Sequence, residues 1–222
     1  MNGARPGPAP PPFRLLAISQ LAGLEGNAPS EHLPDSPAKA WLEELARAGI
    51  DALQLREKEL SDRDLFELAC RARASFPAPA LLLVNGRLDV ALAAGADGVH
   101  LPADGIPAAA LRGRCGRSLL LGVSTHRLDE VVQARRAGAD YVVFGPVYPT
   151  PGKERFGQPL GIAALRRAAE EGIAVYALGG VTLDRFGEVA AAGAAGVAGI
   201  RLFQQPPLLA EVARAAREHF GP

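Results

Sequence analysis

The chain has 222 residues, 48% of them hydrophobic, which is enough for one substantial core. Acidic and basic residues balance at 24 each and aromatic residues make up only 5%, so binding to nucleic acid or to a membrane is not expected. The two cysteines, Cys70 and Cys115, have no metal-ligand spacing, which favours a reduced, cytoplasmic setting. The proline-rich start, residues 1–12, is expected to be a disordered tail before one domain over residues 13–222.

Eight short apolar runs are predicted to be strands that are buried on both faces, as in a parallel sheet. They are Phe13–Ser19, Ala52–Arg56, Ala80–Val84, Gly98–Leu101, Leu119–Val123, Tyr141–Phe144, Ala174–Leu178 and Gly196–Ile200. Several runs follow a helical segment that ends in glycine, a residue that takes the left-handed conformation terminating a helix. Between the runs, helices are predicted near residues 61–75, 125–137, 182–192 and 206–219.

The dipeptide Asn85-Gly86 is ambiguous, because Asn-Gly between apolar runs is a strong hairpin signal. The next segment, "RLDVALAAG", has helical spacing and ends in glycine, so a strand-to-helix turn is expected and a hairpin is the alternative. Eight strands alternating with helices predict a single (β/α)8 TIM barrel of the α/β class, with a doubly wound open sheet as the alternative.

In such a barrel, active groups lie at the carboxyl ends of the strands and in the loops that follow. This rule selects Gln54, Arg56, Lys58, Asn85, His100, Ser124, His126, Thr150 and Lys153. Alternation places Gln54, Arg56 and Lys58 on one side of their strand, where three donors suit an anionic substrate. A surface ion pair made by Glu57 with either cation is the structural alternative.

Glycines follow the last two strands, in "ALGGVT" (177–182) and "GVAGIR" (196–201). Backbone N–H groups that no side chain blocks bind phosphate, and barrels often place a phosphate site at these two strands. The predicted phosphate-binding residues are Gly179, Gly180, Ile200 and Arg201. Tight turns alone would also explain the glycines.

His126 is the candidate catalytic residue, in "GVSTH" (122–126), where it is expected one residue into a helix. A neutral imidazole can accept a proton near pH 7 and then return it. His100 is the competing candidate, although a histidine within a strand is expected to be a packed or positioning group.

Seven motifs in order resemble those of the thiamine phosphate synthase / TenI superfamily. They are "QLREK" (54–58), "VNGRLDVAL" (84–92), "GADGVHLP" (95–102), "GVSTH" (122–126), "ADYVVFGPVYPT" (139–150), "ALGGVT" (177–182) and "GAAGVAGI" (193–200). The resemblance covers residues 13–219 and implies a (β/α)8 barrel, a small thiazole phosphate substrate and a homodimer.

The superfamily has two main branches, which differ in two acidic positions. The synthases join a pyrimidine diphosphate to a thiazole phosphate, with Mg²⁺ held by acids after strands 3 and 4. In this chain, Gly86 and Gly105 occupy the corresponding positions. Because Mg²⁺ is normally held by carboxylates and substrate phosphates, the pattern resembles the TenI branch, thiazole tautomerase, which needs no metal or other cofactor.

The expected function is therefore thiazole tautomerase, which aromatises a carboxylated thiazole phosphate tautomer through a proton relay at the histidine corresponding to His126. The remaining candidates would bind the substrate: Gln54, Arg56, Lys58, Asn85, Ser124, Thr150 and Lys153. Two alternatives stay open: a thiamine phosphate synthase, and a non-catalytic barrel that senses thiazole phosphate.

Overall fold

The computed structural model describes residues 11, 13–21, 37–150 and 158–221. Apart from Pro11, the expected tail over residues 1–12 lies outside the described residues. Within the described ranges, no helix has the length and apolar character needed to cross a membrane.

Eight parallel strands form a closed barrel in sequence order. They are β1 (Leu15–Ile18), β2 (Ala52–Leu55), β3 (Leu81–Asn85), β4 (Gly98–Leu101), β5 (Leu120–Thr125), β6 (Tyr141–Phe144), β7 (Ala174–Leu178) and β8 (Gly196–Gly199). Pairing of Leu16 with Ala198 joins the first strand to the last and closes the ring. The predicted (β/α)8 barrel is confirmed, and the open-sheet alternative is wrong.

Within the described ranges, one α-helix follows each strand and covers the outside of the barrel. The helices are α1 (Pro37–Ala48), α2 (Asp62–Ser75), α3 (Leu88–Ala93), α4 (Ala108–Cys115), α5 (Leu128–Arg136), α6 (Ile162–Ala169), α7 (Phe186–Ala191) and α8 (Leu209–Phe220). Their apolar stripes face the strands, as where α1 buries Trp41, Leu42 and Leu45. The buried indole of Trp41 donates a 2.6 Å hydrogen bond to the carbonyl oxygen of Phe203, which ties α1 to the turn after β8.

Two boundaries differ from the sequence prediction in ways that affect the site. Strand β5 continues to Thr125, because the Thr125 hydroxyl donates to the Val143 carbonyl oxygen and stays buried beside β6. His126 therefore lies between β5 and α5 and not inside a helix. Asn85 ends β3 and pairs with His100, and Gly86 (φ +70°) leads into α3, so the hairpin alternative is wrong.

The barrel interior is apolar toward its amino-terminal end. Phe13, just before β1, stacks on Tyr176 at 4.4 Å, and Tyr141, the first residue of β6, meets both rings edge-on. Leu16 and Leu83 pack against these rings. Polar side chains enter the interior nearer the carboxyl ends of the strands, and this asymmetry places the candidate site there.

Candidate functional site

Four polar side chains form a row across the carboxyl-terminal half of the barrel, one from each of β2 to β5. Gln54 Nε2 donates to Asn85 Oδ1 at 2.9 Å. His100 Nε2 lies 2.9 Å from Ser124 Oγ. The ladder pair of Asn85 with His100 connects the two halves of this polar row.

The second polar atom of Gln54 has no such partner. Gln54 is 1% exposed, and its Oε1 is the one buried side-chain polar atom without a hydrogen-bond partner in the described part of the chain. A buried acceptor left unsatisfied costs about 1–3 kcal/mol. The amide is therefore prepared to accept a hydrogen bond from an N–H or O–H group of a ligand.

His100 is held on both sides of its ring. Its Nδ1 lies 3.1 Å from the Tyr141 hydroxyl, opposite the contact of Nε2 with Ser124. Burial, reinforced by the positive charge of Arg56, lowers the pKa of His100 to about 3, so the imidazole is neutral at physiological pH. His100 is therefore packed within the barrel, and its role as a positioning group stays a prediction.

Two cations follow the end of β2. Arg56 is half-buried and Lys58 is exposed. The backbone N–H of Arg56 donates to Ser19 Oγ at 2.9 Å, which fixes the start of the segment. The Glu57 carboxylate between the cations accepts hydrogen bonds from Ser19 Oγ (2.5 Å) and the Leu21 N–H (3.1 Å), linking the ends of β1 and β2.

The predicted phosphate turn after β7 requires glycine at both positions. Gly179 and Gly180 have φ angles of +93° and +62°, a region that side chains disfavour. A Cβ on Gly179 would lie 2.6 Å from Pro146 Cβ, and a Cβ on Gly180 would lie 2.8 Å from Tyr148 Cβ. The turn therefore presents bare backbone under the loop that follows β6.

Backbone N–H groups without acceptors cluster in the turn after β7 and at the end of the neighbouring strand, β8. Among the described residues, the N–H groups of Gly179, Gly180 and Ile200 have no hydrogen-bond acceptor. Strands β7 and β8 are paired through Leu178 and Ala198, so these donors lie at adjacent strand ends. Clustered backbone N–H groups of this kind form a site for an anion. Arg201 is exposed at the start of the turn after β8.

Three side chains that sequence reasoning missed hold the turn in place. Tyr148 donates from its hydroxyl to Glu188 Oε2 at 2.7 Å. Arg185 lies 4.1 Å over the Tyr148 ring and donates to the Gly180 carbonyl oxygen at 2.8 Å. Tyr148 belongs to a recognised motif, but no spacing pointed to Arg185 or Glu188.

The long loop after β6 is described on both sides of residues 151–157. Thr150 Oγ1 lies 3.2 Å from the position that a Cβ on Gly179 would occupy and donates to the Tyr148 carbonyl oxygen. Thr150 is thus brought to the predicted phosphate turn. Lys153 lies outside the described residues.

His126 lies at the rim of the barrel, just beyond the end of β5. Its side chain is exposed, and Nδ1 is 2.5 Å from the carbonyl oxygen of Gly145, just after β6. Because a carbonyl oxygen only accepts, Nδ1 carries a proton and Nε2 is the basic nitrogen of the neutral ring. The His126 backbone N–H donates to Glu130 Oε2 at 2.6 Å.

The two positions where the resemblance places metal-binding acids offer no carboxylate. The Gly86 N–H donates to the His100 carbonyl oxygen, and Gly105 lies in an exposed loop. Of the nearby acids, Asp89 is paired with Arg87 at 2.7 Å and Asp104 is exposed. Across the described ranges, no three His, Cys, Asp or Glu side chains gather in a way that could hold a metal ion.

A family model and several sequence relatives of this chain are described as thiamine phosphate synthases. A family model described as "Thiamine monophosphate synthase" matches residues 29–203. A "Putative thiamine-phosphate synthase" of Geobacter sulfurreducens is 47% identical over 178 residues, which cover 79% of this chain and 84% of the relative. A "Thiamine-phosphate synthase" of Halalkalibacterium halodurans is 36% identical over 186 residues, covering 82% and 83%.

A solved structure agrees with these sequence relatives. The "Thiamine phosphate pyrophosphorylase" of Pyrococcus furiosus superposes with a TM-score of 0.80 at 28% identity, covering 94% of this chain and 98% of that one.

The expected thiazole tautomerase function is wrong, because these relatives are named synthases and none of them is named an isomerase. The expectation rested on two missing carboxylates. Both positions lie in the turns that follow β3 and β4. The missing carboxylates remove possible metal ligands there, and this loss does not by itself identify the reaction.

Proposed function

We propose that this chain, which belongs to the thiamine monophosphate synthase family, transfers a pyrimidine group from its diphosphate to a thiazole phosphate and releases diphosphate. It is thus an enzyme of thiamine biosynthesis, and the transferase reaction is the specific proposal. The observation that supports it is that hydrogen-bond donors or cations gather at two separate places on the barrel mouth, the ends of β7 and β8 and the ends of β2 to β5. A reaction between two phosphorylated substrates needs two such regions.

The thiazole phosphate half is formed by the ends of β7 and β8. We assign the phosphate to the backbone N–H groups of Gly179, Gly180 and Ile200, together with Arg201. Thr150 lies next to Gly179, and its hydroxyl hydrogen would turn from the Tyr148 carbonyl oxygen to a phosphate oxygen when the ligand binds. Backbone donors suit this task because they are already oriented and lose no side-chain freedom on binding.

The pyrimidine diphosphate half is formed by the ends of β2 to β5. Arg56, Lys58 and Ser124 would bind the diphosphate, and Lys153 from the long loop is assigned to the same group. Positive charges and N–H or O–H donors in this position stabilise the negative charge that develops on the leaving diphosphate.

The ring of the pyrimidine is assigned to Gln54 and Asn85. The unsatisfied Oε1 of Gln54 would accept a hydrogen bond from an N–H group on the ring edge. Asn85 accepts from Gln54 through Oδ1, which leaves its own amide N–H groups for the ligand. His126 has no assigned step, because the proton relay belonged to the discarded isomerisation.

A carboxylate-held Mg²⁺ does not fit the described residues. Gly86 and Gly105 offer no ligand, and the Asp89 carboxylate is occupied by Arg87. Mg²⁺ prefers carboxylate and phosphate oxygens. The side chains assigned to the diphosphate, Arg56, Lys58 and Ser124, are cations and a neutral hydroxyl. No step of the proposed transfer is routed through a metal ion.

A coupling assay tests the proposal. The purified chain is incubated with both substrates, with Mg²⁺ in one series and a chelator in the other, and thiamine phosphate is measured by mass spectrometry. Product is expected only when both substrates are present. Tight binding of thiazole phosphate with no product in either series would favour a non-catalytic sensor.

We also propose that the chain forms a homodimer, as the family resemblance implies. Sedimentation equilibrium is expected to give one species of twice the 23.1 kDa chain mass. A species of the single chain mass at micromolar concentration would contradict this.

A further inference from the structure

We infer that Tyr141 and His100 are positioning residues that commit the Ser124 hydroxyl to donating a hydrogen bond to the bound substrate. The inference deepens the proposed function and rests on it only for the activity measurement. The three side chains come from β6, β4 and β5 and form one chain of hydrogen bonds inside the barrel.

The series of three hydrogen-bonded side chains begins at the Tyr141 phenol. Tyr141 is completely buried, and burial raises the pKa of its hydroxyl well above the ordinary value of 10, so the phenol keeps its proton. Among the described residues, His100 Nδ1 is the one hydrogen-bond partner of this hydroxyl, at 3.1 Å. A buried O–H without an acceptor costs about 1–3 kcal/mol, so the phenol donates and Nδ1 accepts.

The Tyr141 hydrogen bond fixes the tautomer of His100. A neutral imidazole carries one proton, and with Nδ1 accepting, that proton is on Nε2. Nε2 lies 2.9 Å from Ser124 Oγ and therefore donates to it. The imidazolium, which would donate from both nitrogens, is suppressed because burial lowers the pKa of His100.

The direction of this bond decides what Ser124 can do. With its oxygen accepting from His100, its own hydrogen has no acceptor among the described residues. Ser124 is half-buried and lies one residue before the end of β5, where a ligand can reach it. A phosphate oxygen, which only accepts, completes the chain. In the opposite tautomer, Ser124 would donate to Nε2 and lose this capacity.

Gly122 leaves the space that the hydrogen bond between Tyr141 and His100 needs. A Cβ at this position would overlap the ring of Tyr141 and lie 2.6 Å from His100 Nδ1. The two rings approach to a centroid distance of 5.6 Å in the space that this glycine leaves. The hydrogen bond between Tyr141 and His100 therefore requires glycine at position 122. Because its φ is negative, backbone conformation does not explain why glycine is needed there.

Nitrogen-15 NMR of the histidine side chain tests the tautomer directly. In a variant whose other histidines, His32, His126 and His219, are glutamine, the expected spectrum at neutral pH shows Nδ1 unprotonated and Nε2 protonated. Tyr141→Phe is expected to populate the second tautomer. Tyr176→Phe is the matched control, because it removes a buried hydroxyl that donates to Phe13 and should leave the tautomer unchanged.

A proton on Nδ1 in the parent protein, or a single unchanged tautomer in Tyr141→Phe, would overturn the inference. Neither result depends on coupling activity, so a failure here is distinct from a failure of the proposed function.

The activity measurement asks whether Tyr141 acts through Ser124. Tyr141→Phe is expected to lower kcat/KM for the pyrimidine diphosphate about 3- to 10-fold, the loss typical of one hydrogen bond. In a Ser124→Ala background the same substitution should cause no further loss. An equal loss in both backgrounds would mean that Tyr141 serves only packing, and the positioning role would be rejected.

Discussion

Gly180→Ala is expected to raise the KM for thiazole phosphate by up to about 100-fold, because a shift of about 1 Å in a binding turn can cost that much. The new Cβ would overlap the carbonyl oxygen of Pro149 and lie 2.8 Å from Tyr148 Cβ. Either the turn or the loop above it must move, and the N–H groups of Gly179 and Gly180 then leave their common orientation. The KM for the pyrimidine diphosphate should change little.

Gly95→Ala is the matched control for this substitution. Gly95 has a φ of +64°, close to the +62° of Gly180, but nothing lies within 4 Å of the position of its Cβ. Both variants carry the same backbone strain, about 1–2 kcal/mol, which urea unfolding measures. Only Gly180→Ala adds the steric overlap. Equal KM values for the two variants would show that the turn does not bind the phosphate.

Arg56→Met is expected to lower kcat/KM for the pyrimidine diphosphate about 10- to 150-fold, because a hydrogen bond to a charged group contributes about 1.5–3 kcal/mol. Arg56 is half-buried beside the polar row, and its charge already acts on His100. Methionine keeps most of the apolar stem, so the loss reports the guanidinium. Arg56→Lys should recover part of the activity, because it restores the charge without the planar fork.

The control for Arg56→Met is Arg63→Met on α2. Arg63 is 86% exposed and pairs with Glu67 at 3.2 Å, an interaction worth about 0–1 kcal/mol in solvent. The kcat/KM for the pyrimidine diphosphate, measured by steady-state kinetics, should be at least about 10-fold lower in Arg56→Met than in Arg63→Met. If Arg56→Met behaves like Arg63→Met, the diphosphate is bound elsewhere.

The fold was predictable because each repeat unit carries its own local signals. A glycine after a helix and a short apolar run mark one helix-to-strand unit, and eight such runs leave few arrangements other than a barrel. Strand ends were less predictable. Asn85 and Thr125 are polar residues that continue a strand because neighbouring strands supply hydrogen bonds, and no local pattern reports this.

The candidate site was predictable in outline and not in its connections. Strand-end positions selected Gln54, Arg56 and Ser124 as polar groups of the barrel mouth. The contact of His100 with Tyr141 joins residues 41 positions apart, across the barrel interior, and depends on the absence of a side chain at Gly122. Such contacts follow from the closed topology, which sequence spacing does not encode.

Diphosphate release can be followed by phosphorus-31 NMR, which records the bond that breaks and shows whether its cleavage depends on the second substrate. With both substrates present, we expect one diphosphate to be released for each thiamine phosphate formed, and we expect no release when thiazole phosphate is left out. No release with both substrates, or equal release without thiazole phosphate, would contradict a transfer between two substrates held in the two halves of the barrel mouth.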